Sequence, residues 1–195
     1  MKPLSRILRA LENVEASTEK DGLLASFHPY VIPKGRVLVT QGQVSPMIYF
    51  IVKGVMRIYY TRGSEDITSL LISDGEPVCV AASFFRQKPS EEILETLEDC
   101  TVCSLSYETY RSLSKLDPEI ADLTIRLLEE QLISFGERIR TFKFLSVEKR
   151  IAHYISQPSS LFRRIPDIYI ATYLGTTGAT FSRNLKMVDV NSTKF

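Results

Sequence analysis

The sequence predicts an α+β fold, in which an antiparallel strand domain is followed by a long helix and then a small helical unit. Three observations carry this reading. Between Arg36 and Ser106 lie short runs rich in β-branched and aromatic residues, "RVLVT", "MIYFIV", "VMRIYY", "ITSLLI", "EILETLE" and "TVCSLS". After Tyr107 the hydrophobic spacing switches to a helical period. Close to the end of the chain, "IATYLGTTGATFSRNLK" sets a glycine turn between two short apolar-anchored segments. A chain of 195 residues, 44% hydrophobic and 24% charged, is long enough for one large domain or a medium domain with a small one.

The first residues, "MKPLSRILRALENVE", show helix-like spacing at Leu4, Ile7, Leu8 and Leu11, and a polar stretch follows. Charges at Lys2, Arg6, Arg9 and Glu12 interrupt any signal-peptide core. No uncharged apolar run approaches the roughly 20 residues needed to cross a bilayer, so a cytoplasmic location and no membrane partner are expected. The strand runs are separated by turn signals at Pro33-Lys34-Gly35, Gly42, Lys53-Gly54, Arg62-Gly63-Ser64 and Asp74-Gly75. Short strands at that spacing predict a sandwich or barrel. "CTVC" suggests a metal or redox pair, but it lies in a predicted strand, where residues three apart point to opposite faces. Cys79, Cys100 and Cys103 therefore read as buried, reduced thiols, and no cofactor is expected.

Pro118 suits the first turn of the long helix. Along it Ala121, Ile125, Leu128, Leu132, Phe135, Ile139 and Phe142 recur at alternating steps of four and three, a heptad seam. Ile120, Leu123 and Leu127 lie off that seam and can pack on the strand domain. One stripe for its own domain and another for a second chain predicts a dimerisation helix over 118–142; the alternative is a two-sided buried helix in a monomer. Gly136 weakens the helix by roughly 1 kcal/mol relative to alanine, which suits a close approach there. "FKFLS" reads as a hinge, Ser146 as the N-cap of a helix running toward Ile155, and "QPSS" as its break. The expected organisation is thus 1–117, 118–142 and 143–195.

Net charge is only +1, but its distribution is uneven. Residues 143–195 hold eight basic and three acidic residues, net +5, against sixteen and twenty, net −4, in the rest of the chain. A basic terminal module is what phosphate contacts require; a chance surface imbalance is the alternative. Within it, Pro166 and Asp167 open a helix carrying Ile168, Ile170, Ala171 and Leu174. Gly175 can end that helix in the left-handed conformation. Thr177 can cap the next helix, which Phe181 and Leu185 anchor inward. This is the helix–turn–helix arrangement. Thr177, Thr180, Ser182, Arg183 and Lys186 are the candidate DNA-contacting residues, and Arg183 is the strongest base reader because its fork can meet guanine twice.

In this order of parts the chain resembles the Crp/Fnr family of transcriptional regulators. "PKGRVLVTQG" and "IYFIVKGVMRIYY" are similar to the opening strands of that family's cyclic-nucleotide-binding fold. "FLSVEKRIAHYI" resembles its hinge and following helix, and "IPDIYIATYLGTTGATFSRNLK", with the pair Ser182-Arg183, resembles its DNA-binding helices. The resemblance covers roughly residues 30 to 188. It implies a jelly-roll-like β-roll sensor that takes a small-molecule effector. It further implies a homodimer through Ile125, Leu128, Leu132, Phe135, Ile139 and Phe142, with two recognition helices in successive major grooves of double-stranded DNA, and a contact with RNA polymerase.

The chain also departs from that pattern. Where cyclic-nucleotide-binding members carry an arginine just before a serine or threonine, "ASFFRQKPSEEILE" has Pro89 before Ser90, with Glu91 and Glu92 following. Proline brings neither a cation nor an N–H to a phosphate. The pair that contacts adenine in cyclic-AMP-responsive members falls on Phe135 and Gly136, whose side chains cannot hydrogen-bond. Cyclic AMP is therefore not the expected effector. Phe84, Phe85, Ser90 and Phe135 are the candidate pocket residues for a more apolar one, with simple core packing as the alternative for the phenylalanines. Gly178 and Ala179 stand where members commonly carry polar residues, Asn184 stands at a position usually apolar, and "MVDVNSTKF" is too short for a complete wing hairpin. These departures keep open a second reading, a ligand- or protein-binding module whose helix–turn–helix has decayed. An enzyme has little support, since no Gly-rich phosphate loop, metal-ligand spacing or serine–histidine–acid constellation stands out.

Overall fold

The computed structural model describes residues 28–116, 118–156 and 160–192. The helix-like spacing at Leu4–Leu11 and most of the "QPSS" break lie outside them. Strands β1 Tyr30–Ile32, β3 Met47–Lys53, β6 Pro77–Val78 and β8 Cys100–Ser106 form one sheet in the order β1-β8-β3-β6. Strands β2 Val37–Val39, β4 Met56–Arg62, β5 Glu65–Ile72 and β7 Ile93–Thr96 form the other in the order β2-β7-β4-β5. All pairings are antiparallel. Both sheets contribute to one core, with Tyr49, Ile51 and Val102 meeting Met56, Ile58 and Leu94. The α+β class and the two-layered roll are as the sequence predicts.

Each apolar run of the sequence is a strand, and β1 and β6 are additions. With three and two residues they show no periodicity of their own, and pairing with the longer β8 and β3 holds them in place. One crossing from the first sheet to the second, between β3 and β4, happens at Gly54, at φ +134°. A Cβ there would lie 2.5 Å from Cys100 Sγ, so only glycine lets the turn pass this close to β8. Its N–H donates to Asp74 Oδ1 at 2.7 Å.

Helices follow as α1 Ala81–Arg86, inserted before β7, then α2 Tyr107–Leu116, α3 Pro118–Phe144, α4 Val147–Ser156, a 3-10 turn Ser160–Arg164, α5 Asp167–Tyr173 and α6 Gly178–Ser192. The predicted hinge is narrow. The α3 helix continues to Phe144, and only Leu145 and Ser146 separate it from α4. A second core gathers Ile151, Ile165, Ile170, Leu174 and Phe181 of the helical unit around Val55, Leu71 and Leu97 of the roll. Roll and helical unit therefore share buried surface. No helix among the described residues is long and apolar enough to cross a membrane.

Candidate nucleic-acid interface and effector region

The α5–α6 turn is built from backbone hydrogen bonds that its sequence makes available. Gly175 lies at φ +68°. Its N–H donates to the Thr172 carbonyl at 3.0 Å, and the Thr176 N–H reaches back to the Ala171 carbonyl at 2.9 Å. This is the Schellman ending, and it requires a residue at ease in the left-handed region. Two residues later Thr177 caps α6, its Oγ1 accepting from the Thr180 N–H at 3.2 Å and donating to Thr180 Oγ1 at 3.1 Å. Ala171, with no side chain beyond Cβ, is fully buried where the helices meet, and Phe181 is buried behind it.

With Phe181 inward, Ser182 and Arg183 stand exposed on the outer face of α6. Thr177 is exposed and Thr180 half-buried, and their hydroxyls serve each other at the cap. The side chain of Lys186 lies outside the described residues. Asn184 is half-buried and its Nδ2 donates to the Thr180 carbonyl at 2.9 Å, which supplies the partner that burial demands.

The candidate effector residues are divided between two settings. Phe84 is fully buried, edge-on to Phe85 at 5.3 Å, Tyr107 at 5.5 Å and Tyr110 at 5.9 Å, an aromatic clasp between α1 and α2. Ser90 is buried as well: its N–H donates to the Gln43 carbonyl, its carbonyl accepts from Gly42, and its Oγ donates to the Glu92 carbonyl at 2.6 Å. Glu92 in turn accepts from Ser69 Oγ at 2.6 Å. Phe135 stands apart on the exposed face of α3. Burial pushes the Cys79 thiol up to about 12 and that of Cys100 up to about 11. Among the described residues no group of three His, Cys, Asp or Glu could hold a metal.

Along α3, Ile125, Leu128, Leu132, Phe135 and Ile139 are exposed, Leu132 by 73%. Phe142 differs, since the Arg150 guanidinium lies 4.6 Å from its ring centre and a Cβ on Gly175 would come within 3.0 Å of it. The last seam position therefore packs on the chain's own helical unit. Side chains of Ala121, Ile120, Leu123 and Leu127 lie outside the described residues. Around Gly136 a Cβ would meet nothing within 4 Å in this chain, so no close approach comes from its own elements.

The polar contacts between roll and helical unit have no local signature in the sequence. Arg57 on β4 is 2% exposed, with Nε donating to Glu95 at 2.7 Å and Nη2 to Asp66 at 2.8 Å. Its guanidinium is 3.8 Å from the Tyr59 ring centre and 3.7 Å from that of Tyr169 on α5. Burial opposes the charge, and the hydrogen bonds to Asp66 and Glu95 outweigh it, holding the guanidinium above its ordinary range. Arg164 bonds both oxygens of Asp74, at 2.5 and 3.1 Å, and also Glu98.

Comparison with known proteins agrees with this architecture. The family model for the cyclic nucleotide-binding domain matches residues 30–117, which run from β1 into the end of α2. The cAMP-activated global transcriptional regulator CRP of Haemophilus influenzae is 24% identical over 191 residues, spanning 90% of this chain and 85% of that protein. The fumarate and nitrate reduction regulatory protein of Vibrio cholerae is 28% identical over 167 residues, 79% of this chain and 66% of its own. Both relatives align well beyond the roll, into the helices that follow it. The chain is similar to Crp/Fnr family regulators over most of its length. A solved structure described as of the crp/fnr family, from Eubacterium rectale, superposes with a TM-score of 0.72 at 20% identity, covering 93% of this chain and 87% of that one. At that identity it shows the family's fold.

Proposed function

We infer that the chain is a dimeric, DNA-binding transcription regulator that reads with the outer face of α6 and answers to an effector other than cyclic AMP. The carrying observation is the turn from Gly175 to Thr177. A Schellman ending followed at once by a threonine cap fixes α6 so that Phe181 points in and Ser182 and Arg183 point out. The exposed apolar line from Ile125 to Ile139 suits a second copy, which would place two such faces on one duplex. Against cyclic AMP stands the hydroxyl of Ser90, already donated to Glu92 within a segment carrying two carboxylates and a proline. A cyclic phosphate needs a charge-assisted donor.

The test is selection of the purified protein on a random duplex pool at low and moderate salt. Enrichment of a two-fold site with half-sites about one helical turn apart is expected, as is loss of sequence preference in Arg183→Ala. Absence of any duplex binding at low salt would replace this reading with the ligand- or protein-binding module. Gly178 and Ala179 favour that alternative, because they leave the first two positions of α6 without a polar side chain.

A further inference from the structure

Strand β5 is the edge of its sheet. An edge strand leaves N–H and C=O groups without ladder partners. Here two of them are met by the helical part of the chain. The Thr68 N–H donates to Thr172 Oγ1 on α5 at 3.2 Å, and the Ser69 carbonyl accepts from the Arg138 guanidinium on α3. Arg138 also lies 4.2 Å from the ring centre of Tyr173, the last residue of α5. Two further attachments of different chemistry flank this one. Tyr169 covers the buried Arg57 guanidinium, and Arg164, just before α5, is clamped by Asp74 and Glu98 of the roll. Beneath them runs the apolar core joining Val55, Leu71 and Leu97 to Ile170 and Leu174. The docked helix is the first of the helix–turn–helix, and the Gly175 turn ties α6 rigidly to it. Docking leaves Ser182 and Arg183 exposed, so it does not mask the reading face.

We propose that this contact is a latch that sets the orientation of the reading head on its own β-roll. Arg57, Tyr169, Arg164 and Thr172 are its positioning residues. In a dimer joined through α3, two heads latched to two rolls stand at one fixed spacing. An unlatched pair samples many spacings and loses its advantage on paired half-sites. A change in the β4–β5 hairpin then reaches the head directly, as well as through α3 and the short Leu145-Ser146 link. The DNA half of this proposal rests on the regulator reading above, whereas the docking half stands alone.

The experiment uses the full chain with two variants that leave Ser182 and Arg183 untouched. Tyr169→Leu removes the ring from Arg57 but keeps apolar bulk; Arg164→Gln removes the ion pairs. Amide exchange is followed at Thr68, with Ile51 and Val102 of the central strands as the reference for an intact roll. Exchange at Thr68 should accelerate at least roughly tenfold in each variant, as loss of one charge-assisted hydrogen bond or desolvated cation–π contact would give. Ile51 and Val102 should stay as in the parent. Affinity for paired over single half-sites should fall by a similar factor while single half-site affinity holds. Unchanged exchange at Thr68 in both variants overturns the latch, as does acceleration only in step with Ile51 and Val102. Faster Thr68 exchange with an unaltered preference for paired sites overturns the positioning role. If either variant unfolds, Glu98→Gln carries the same test from the roll side, since Asp74 still holds Arg164. A parent that binds no DNA refutes the regulator reading alone, and the exchange result still decides the docking.

Discussion

Gly175 carries two constraints at once: a φ of +68° and a neighbouring Phe142 ring that a Cβ would meet at 3.0 Å. Gly175→Ala should therefore destabilise the fold by about 1–2 kcal/mol from the left-handed backbone alone, with the ring contact adding to it. Urea unfolding of parent and variant measures this, and an unchanged midpoint would remove the turn from its proposed role in fixing α6. This residue was legible in the sequence because a glycine between two apolar-anchored segments has few other uses. Thr177 was legible for the same kind of reason, since a threonine just before a helix is a capping signal. Arg57 and Tyr169 were not. They stand 112 positions apart in the sequence, and nothing local to "VMRIYY" or "PDIYIATY" states that one ring will cover the other's guanidinium. Asn184 was half legible. Its departure from an apolar site shows in the sequence, but its remedy, a bond to the carbonyl four residues back, appears only once the helix exists.

The elements divide by length. Runs of four or more alternating or aromatic residues became strands, because their own pattern states a buried face. β1 and β6 are defined by their partners, and α1 by the aromatic clasp on Phe84, so no local period announces them. The long helix shows what a heptad can and cannot say. Spacing reports that apolar residues share a stripe, whereas the surface facing that stripe is decided by the rest of the fold. Ile125 to Ile139 are open to a second copy, and Phe142 is taken by Gly175 and Arg150 of its own chain. A charge at the most exposed seam position should then act on assembly without disturbing the roll. Leu132→Glu is expected to sediment as a monomer at micromolar protein with parental strand circular dichroism. A variant that stayed dimeric would place the copy-to-copy contact elsewhere.

For the whole molecule, the shared core makes roll and head a single cooperative body rather than two beads on a linker. Ile170 and Leu174 are buried partly by Val55, Leu71 and Leu97, so neither unit keeps its full buried area when the other unfolds. Urea denaturation should accordingly show one transition, with exchange in α5 and in β5 moving together. Separate midpoints for the two elements would show that the common core contributes little. The uneven charge suggests a basic module attached to an acidic one, and the three-dimensional contact adds that Arg164, one of the basic residues of the terminal segment, is paired with Asp74 and Glu98 of the roll. Covering β5 has another effect, unrelated to reading DNA. An open strand edge is a template on which other chains can pair and precipitate. Thr172 and Arg138 occupy two positions of that template, so a chain whose head has come away loses the Thr172 cover and exposes more of the strand to its neighbours. On the proposed latch, a bond that aims the head would also guard this strand against pairing with other chains, so a change that loosens it endangers both.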